Sequence, residues 1–233
     1  MSPIERSSGG GGTGTTGTPT DGWVDDTAET WTFASATTFT VPTDLRTKYT
    51  VGTRIKLTQS ATVKFFAVIA APTFGGGNTT VTISGGSDFT FANSAVSANF
   101  HSYVVNPQGY PTWFNWTPGY TGFSVNPTIR CCKFAMYGNM AHIAYADNGN
   151  GTSNAAGFTV TGCPITPSAG VSFTSFQATV IDNGVVQNSP GNVFWIGGST
   201  TLTIQKLIDG TGFTASGGKG CTGGGLQAMV LVV

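Results

Sequence analysis

The stretch GTRIKLTQSATVKFFAVI (52–69) decides the fold. Ile55 and Leu57 alternate with Arg54 and Lys56, and Val63, Phe65, Ala67 and Ile69 share one face of the run that follows. A repeat of two is the signature of a half-buried strand, because apolar positions on a helix recur every three or four residues. The same alternation extends outward on both sides. Trp31 and Phe33 alternate with threonine and lead into Phe39 and Val41, while Val81 and Ile83 sit between threonines. Each run is bounded by Gly, Pro, Asn or Asp, and no helical period persists beyond two turns. Short strands spaced about 8–12 residues apart predict a small β-barrel or sandwich over residues 21–106.

A second block begins near Pro107. Strands are expected at 130–137 and 140–146 around the turn Gly138-Asn139, and then at 158–160, 171–176, 177–181, 193–196, 201–204 and 226–232. Turn signals stand at Asn148-Gly149-Asn150-Gly151, Asp182-Asn183-Gly184 and Asp209-Gly210. About eight strands in this length predict a jelly-roll-like β-sandwich over residues 107–233. Ahead of both blocks, residues 7–20 (SSGGGGTGTTGTPT) are of low complexity, so residues 1–20 are expected to form a flexible Gly/Thr-rich arm, with Ile4, Glu5 and Arg6 as its anchoring peptide. The fold class is therefore all-β throughout: arm, small barrel or sandwich, larger sandwich.

Charge is the second signal. Only 9% of residues are charged while Gly supplies 34 of 233, against roughly a quarter charged in an ordinary soluble domain. Residues 89–129 and 148–181 contain no Asp, Glu, Lys or Arg. A surface of Thr, Ser, Asn and Gly suits a protein held permanently against copies or partners. With 39% hydrophobic and 12% aromatic residues, the chain can fill real cores. The net charge is zero and no basic stripe exists, which argues against nucleic acid as a partner. No apolar run approaches the roughly 20 residues of a membrane helix, so membrane insertion is not expected. Met1-Ser-Pro-Ile-Glu-Arg has no charged segment followed by an apolar one, so synthesis in a cytoplasm is expected. The four cysteines, Cys131, Cys132, Cys163 and Cys221, form no CxxC pair and are expected as buried free thiols.

Several phrases carry a family likeness. Asp21-Gly22-Trp23, WTFASATTFTV (31–41), GTRIKLTQ (52–59), VKFFAV (63–68), NPQGYPTWFNW (106–116), NGNGTSNA (148–155) and FTASGGKGC (213–221) resemble structural proteins of tailed bacteriophages and prophages. The resemblance spans residues 21–233. It implies β-structured tail-fibre, head-fibre or receptor-binding-like components of the virion, often trimeric, and it carries no catalytic motif.

The search for chemistry returns little. Residues 12–17 (GTGTTG) fit GxGxxG in letters, but no strand precedes them and no helix follows. Gly217-Gly218-Lys219-Gly220 lacks the spacing of a phosphate-binding loop. Of the two histidines, His101 has no charged residue within a dozen positions, and His142, beside Ala141 and Ile143, reads as a packed strand residue. Asp25, Asp26 and Glu29, with Asp21 nearby, form the one acidic cluster. It can be read as a glycosidase pair, as a Ca²⁺ site, or as a solvated loop, and the solvated loop is preferred. The remaining acids read as turn formers. Tyr110, Trp113, Phe114, Trp116, Tyr120 and Phe123 lie within one Gly/Pro-rich segment. Such aromatics either stack on sugar rings or form a wedge between the two β domains or a plug at a subunit interface, and the wedge or plug is preferred. No cofactor, metal or catalytic residue is expected.

The sequence thus leads to a non-enzymatic virion protein: an attachment protein of the fibre or receptor-binding type, assembling as a homotrimer. Its arm would contact other virion proteins, and a neutral host-surface glycan is the candidate ligand. Two alternatives stay open, a capsid decoration or head-fibre protein without a receptor role, and a tail-associated polysaccharide-degrading enzyme.

Overall fold

The computed structural model describes residues 20–170, 173–222 and 226–232. The anchoring peptide Ile4, Glu5 and Arg6, and all but Thr20 of the arm, lie outside the described residues. Within them all regular structure is strand, arranged in three antiparallel sheets.

The first sheet holds β1 (Val24–Asp25), β2 (Thr32–Ser35), β3 (Thr38–Pro42), β4 (Arg54–Gln59), β5 (Thr62–Val68), β6 (Thr73–Gly75), β7 (Asn78–Ser84) and β8 (Ser97–Ser102). Their order is β1-β8-β4-β5-β7-β3-β2, with β6 also paired to β7. Strand β7 joins the two halves: Asn78 to Thr82 pair with β3, while Ile83 and Ser84 pair with β5. The sheet thereby wraps around one core that includes Trp31, Phe39, Tyr49, Ile55, Leu57 and Phe66. Trp31 stacks on Phe39 with ring centroids 4.4 Å apart and donates from Nε1 to the Tyr49 hydroxyl at 3.1 Å.

The remaining strands are β9 (Phe114–Asn115), β10 (Gly119–Thr121), β11 (Phe123–Val125), β12 (Ile129–Tyr137), β13 (Met140–Asp147), β14 (Gly151–Ser153), β15 (Thr159–Thr161), β16 (Phe173–Asp182), β17 (Val185–Val186), β18 (Gly191–Ile196), β19 (Leu202–Gln205), β20 (Gly218–Thr222) and β21 (Leu226–Leu231). One sheet runs β10-β15-β19-β18-β16-β20-β14-β11 with β17 on β16, and the other runs β21-β13-β12-β9. Phe134, Ile143, Tyr145 and Val230 of the smaller sheet share a core with Val160, Val180, Val193 and Trp195 of the larger. Neighbours distant in sequence, such as β14 with β20 and β13 with β21, are the crossovers of a sandwich rather than a plain meander. The two strands expected at 171–176 and 177–181 are one, β16. It pairs with β18 as far as Ala178 and with β20 from Thr179 on the opposite edge, so the change of partner occurs without a turn.

The β units are tightly joined. In β5, Phe66 and Val68 face the first core, whereas Ala67 belongs to the second core and Phe65, with Ile69 just past the strand, packs against it. The strand is therefore covered on both faces. Arg54, only 2% exposed, donates from Nη2 to Met136 O at 2.6 Å and from Nε to Val105 O at 3.2 Å. Asp88 accepts from both the backbone N–H and the side-chain amide of Asn115 at 2.8 Å. Gly52 abuts Gly138 so closely that a Cβ there would sit 2.0 Å from Gly138 O, and its φ of +83° also excludes most other residues.

Candidate functional site

The aromatic segment bridges the units. Tyr110 packs against Trp23, Phe65 and Phe114 with ring centroids 6.1, 6.0 and 5.6 Å away, and its hydroxyl donates to Phe66 O at 3.3 Å. Trp23 is fully buried beside it and donates from Nε1 to Gln108 O at 2.9 Å. Phe114 stacks on Phe134 at 5.3 Å, and both Phe114 and Trp116 belong to the second core. Neither has a face free for a sugar ring. Trp113 and Tyr120 are half-buried, Trp113 against His142 at 4.8 Å and Tyr120 against Phe123 at 5.8 Å. The six aromatics therefore do not converge on one platform. Tyr110 and Phe114 pin one unit to the other, and the other four pack on the sandwich.

The acidic cluster differs from the solvated loop expected of it. Asp25 and Asp26 are neighbours on the edge of the first sheet, and successive strand residues point to opposite sides. Asp25 is exposed and caps the Thr27 N–H at 2.8 Å, so the two carboxylates do not form a pair. Asp26 is 1% exposed and both of its oxygens lie 2.9 Å from His101 Nδ1. A carboxylate only accepts, which makes Nδ1 the donor. Lys48 Nζ lies 2.6 Å from Asp26 Oδ1 and also pairs with Glu29. The Tyr49 hydroxyl donates to Glu29, stands 3.2 Å from Asp26 and accepts from Trp31. Asn99 completes the clasp, with its backbone oxygen accepting from Asp26 N at 2.9 Å and its amide donating to Asp26 O at 2.7 Å. Burial alone would lower the Lys48 pKa, but Asp26 and Glu29 outweigh it and hold it above the ordinary lysine value. Burial, reinforced by the same two acids, raises Tyr49 far above an ordinary phenol. The place a cation would take between Asp26 and Glu29 is held by the Lys48 ammonium. Among the described residues no group of three or more His, Cys, Asp or Glu is arranged to hold a metal ion. The cluster ties β1 and its following loop to β8.

A second charged centre lies in the sandwich, at the GGKGC run. Lys219 shares its face of β20 with Cys221, and both are 0% exposed. Its Nζ donates to Gly122 O, Ala155 O and Gly157 O at 2.6, 2.9 and 2.8 Å, which uses all three ammonium protons. The rings of Phe123, Phe213 and Phe158 surround it at 4.5, 5.6 and 5.8 Å. Burial pushes its pKa down to about 8, against a weaker opposing pull from Asp182. Next to it, a Cβ on Gly220 would fall 2.3 Å from Asp147 Oδ1, so this glycine allows the close approach of β20 to the Asp147 turn. Asp147 is itself 0% exposed and accepts from Gly149 N, Tyr145 Oη and Cys221 N at 2.7 to 3.0 Å. Burial raises its pKa despite those three donors. Asp182, 5% exposed, accepts from Thr214 N and Oγ1 and from Lys206 at 2.8, 2.9 and 3.1 Å. Asp147 caps its own turn through Gly149 N, as expected of a turn former, and both acids are in addition buried anchors.

The four cysteines are free thiols; Cys132, Cys163 and Cys221 are buried and Cys131 is half-buried. Burial raises all three buried thiols, Cys163 to about 12, so none is primed as a nucleophile. A cleft of about 530 Å³ opens between the units, lined by Thr37, Ser84, Cys163, Pro167 and similar small residues, without a charged or aromatic side chain.

No protein-family model matches this chain, and no curated protein is similar to it.

Proposed function

We propose that the chain is a structural, non-enzymatic component of a tailed-phage virion, an attachment protein of the fibre or receptor-binding type that works as a homotrimer. The observation that carries this reading is where the charges go. Of ten basic and ten acidic residues, Asp26, Arg54, Asp147, Asp182 and Lys219 are all at most 5% exposed. Each is bonded to backbone or to a fixed neighbour rather than aimed into an open cleft. A catalyst keeps its titratable groups where substrate can reach them. Here these five hold loops and strands in place, and the outer surface carries few charges for its size. The polysaccharide-degrading alternative rested on Asp25 and Asp26, which diverge. A receptor on the host surface would have to be neutral to match so uncharged an exterior, and a glycan fits that description.

The joined β units suit a rigid connector and head, with residues 1–20 attaching them to other virion proteins. Removing residues 1–20 is expected to leave the melting temperature of the β units unchanged and to abolish incorporation into particles. Incorporation of the truncated chain at the normal level would contradict the anchoring role.

A further inference from the structure

We propose that His142, Met140 and Met229, covered by Trp113, form a binding site for a soft monovalent metal ion, Cu(I). The site goes beyond the virion reading and does not depend on it.

The register brings the donors together. His142 on β13 stands directly opposite Met229 on β21, and Met140 precedes His142 on the same side of β13, diagonal to Met229. The alternate residues, Ala141, Ile143 and Tyr145 on β13 and Leu226, Ala228 and Val230 on β21, are buried in the core, so these three turn outward. Directly opposite positions of an antiparallel pair have Cβ atoms about 4.5–5.5 Å apart, and diagonal neighbours lie about 7–8 Å apart. Two thioethers on unbranched, flexible chains can close with an imidazole over that span on one ion, at metal–ligand distances of about 2.0–2.3 Å. The chain has four methionines and two histidines, so two methionines and a histidine on one patch of one sheet are a concentration of scarce donors.

The imidazole is held in place yet left free to ligate. Trp113 packs on His142 with ring centroids 4.8 Å apart. Phe114 pairs with Phe134, which sets Trp113 beside Ala135, the residue opposite His142 on β12. The small Ala135 side chain leaves a gap that the indole crosses. His101 is tied to Asp26 through Nδ1, whereas neither ring nitrogen of the half-buried His142 has a hydrogen-bond partner among the described residues. Met229 is 53% exposed and Met140 half-buried, so both sulfurs are within reach of an ion from solution. The Trp113 ring offers a π face to that ion as a further source of attraction.

Donor chemistry selects the ion. Thioether sulfur is soft and uncharged, and with imidazole it suits Cu(I), whereas Ca²⁺ and Mg²⁺ require oxygen and structural Zn²⁺ sites take thiolate or carboxylate beside imidazole. No Asp or Glu lies on the outward rows of β12, β13 and β21, so a divalent charge would go uncompensated. Lys133 is the one charge there. It pairs with Ala144, beyond His142 on the side away from Met140, and repels a divalent ion twice as strongly as a monovalent one. Cys131, opposite Ala146, is farther along the same direction and outside the donor set. The bound ion would join β21, which ends this sheet, to β13 through side chains as well as through the backbone ladder.

The test titrates the full chain with Ag(I), an air-stable ion of the same charge and softness, in chloride-free buffer, followed by calorimetry and tryptophan emission. Every protein carries Cys131→Ser, which removes the one thiol that is not buried. Expected is one equivalent bound, with a change in emission from Trp113, the one tryptophan of five that is not buried. Adding Met140→Leu and Met229→Leu should weaken binding at least about 100-fold, since loss of direct ligands costs more than the 10–100-fold of outer partners. If that protein does not fold, His142→Gln makes the same comparison. Trp113→Phe should still bind the ion but lose the emission change. Equal affinity without the two thioethers, or with His142→Gln, would assign the ion to the remaining thiols and overturn the site. So would the absence of binding, or Zn²⁺ bound as tightly as Ag(I).

Discussion

Replacing Lys219 by methionine is expected to cost about 3–5 kcal/mol of unfolding free energy. Methionine preserves most of the side-chain volume, so packing against Phe123, Phe158 and Phe213 survives. What is lost is the donor to Gly122 O, Ala155 O and Gly157 O, three carbonyls brought to one point by two segments distant in sequence. A buried polar group left without a partner costs about 1–3 kcal/mol, and three are orphaned at once. Relief of the ammonium's own burial returns part of that. Urea unfolding followed by tryptophan fluorescence measures the difference, and a loss below about 1 kcal/mol would contradict the cage. The substitution also has a pH signature. The Lys219 pKa is about 8 in the folded chain against 10.5 for an ordinary lysine. Between those values the unfolded chain holds a proton that the folded chain has released, so this group makes stability rise with pH across the window. The stability of wild type minus that of Lys219→Met should therefore climb from about pH 8 upward. A flat or falling difference would show that the folded lysine keeps its proton.

Asp26→Ala is expected to cost about 3 kcal/mol, somewhat less because Lys48 and Glu29 are partly solvated. The alanine strands His101 Nδ1 in a 4%-exposed site and removes one of the two carboxylates that balance Lys48. Asp26→Asn separates charge from hydrogen bonding. It keeps an acceptor for His101 and should recover roughly half of the loss. A loss of less than about 1 kcal/mol for Asp26→Ala would mean that the clasp from β1 to β8 is dispensable, and would return this loop to the solvated role its sequence suggests.

The sequence shows the fold class plainly and the polar centres hardly at all, for one physical reason. Period two records which residues alternate, and alternation survives wherever a single face is buried. It marks β3, β4 and β7 well. It misassigns β5, where Val63, Phe65, Ala67 and Ile69 are apolar yet the first core takes Phe66 and Val68, because that strand is buried on both sides. It also divides β16 in two, since a strand that changes partner at Ala178 leaves no turn residue behind. The β4–β5 hairpin is hidden differently. Its turn, Ser60-Ala61, has φ of 51° and 61°, the left-handed conformation usually signalled by Asn-Gly. The clasp joins Asp26 to His101 across 75 positions and the Lys219 cage joins residues up to 97 apart, distances at which local pattern carries no information. One signal was available. Lys219 is a lone charge among glycines on the same strand face as the apolar Cys221, and a lysine so placed is turned inward and needs acceptors.

The central claim is that this neutral exterior exists to meet other copies of the chain within a virion. It is tested most directly by imaging intact particles with the chain located in them, beside the solution mass of the purified protein. The account predicts clusters of three copies on the particle and a mass of three chains in solution. A chain missing from purified particles, with the mass of a single chain in solution, would contradict it.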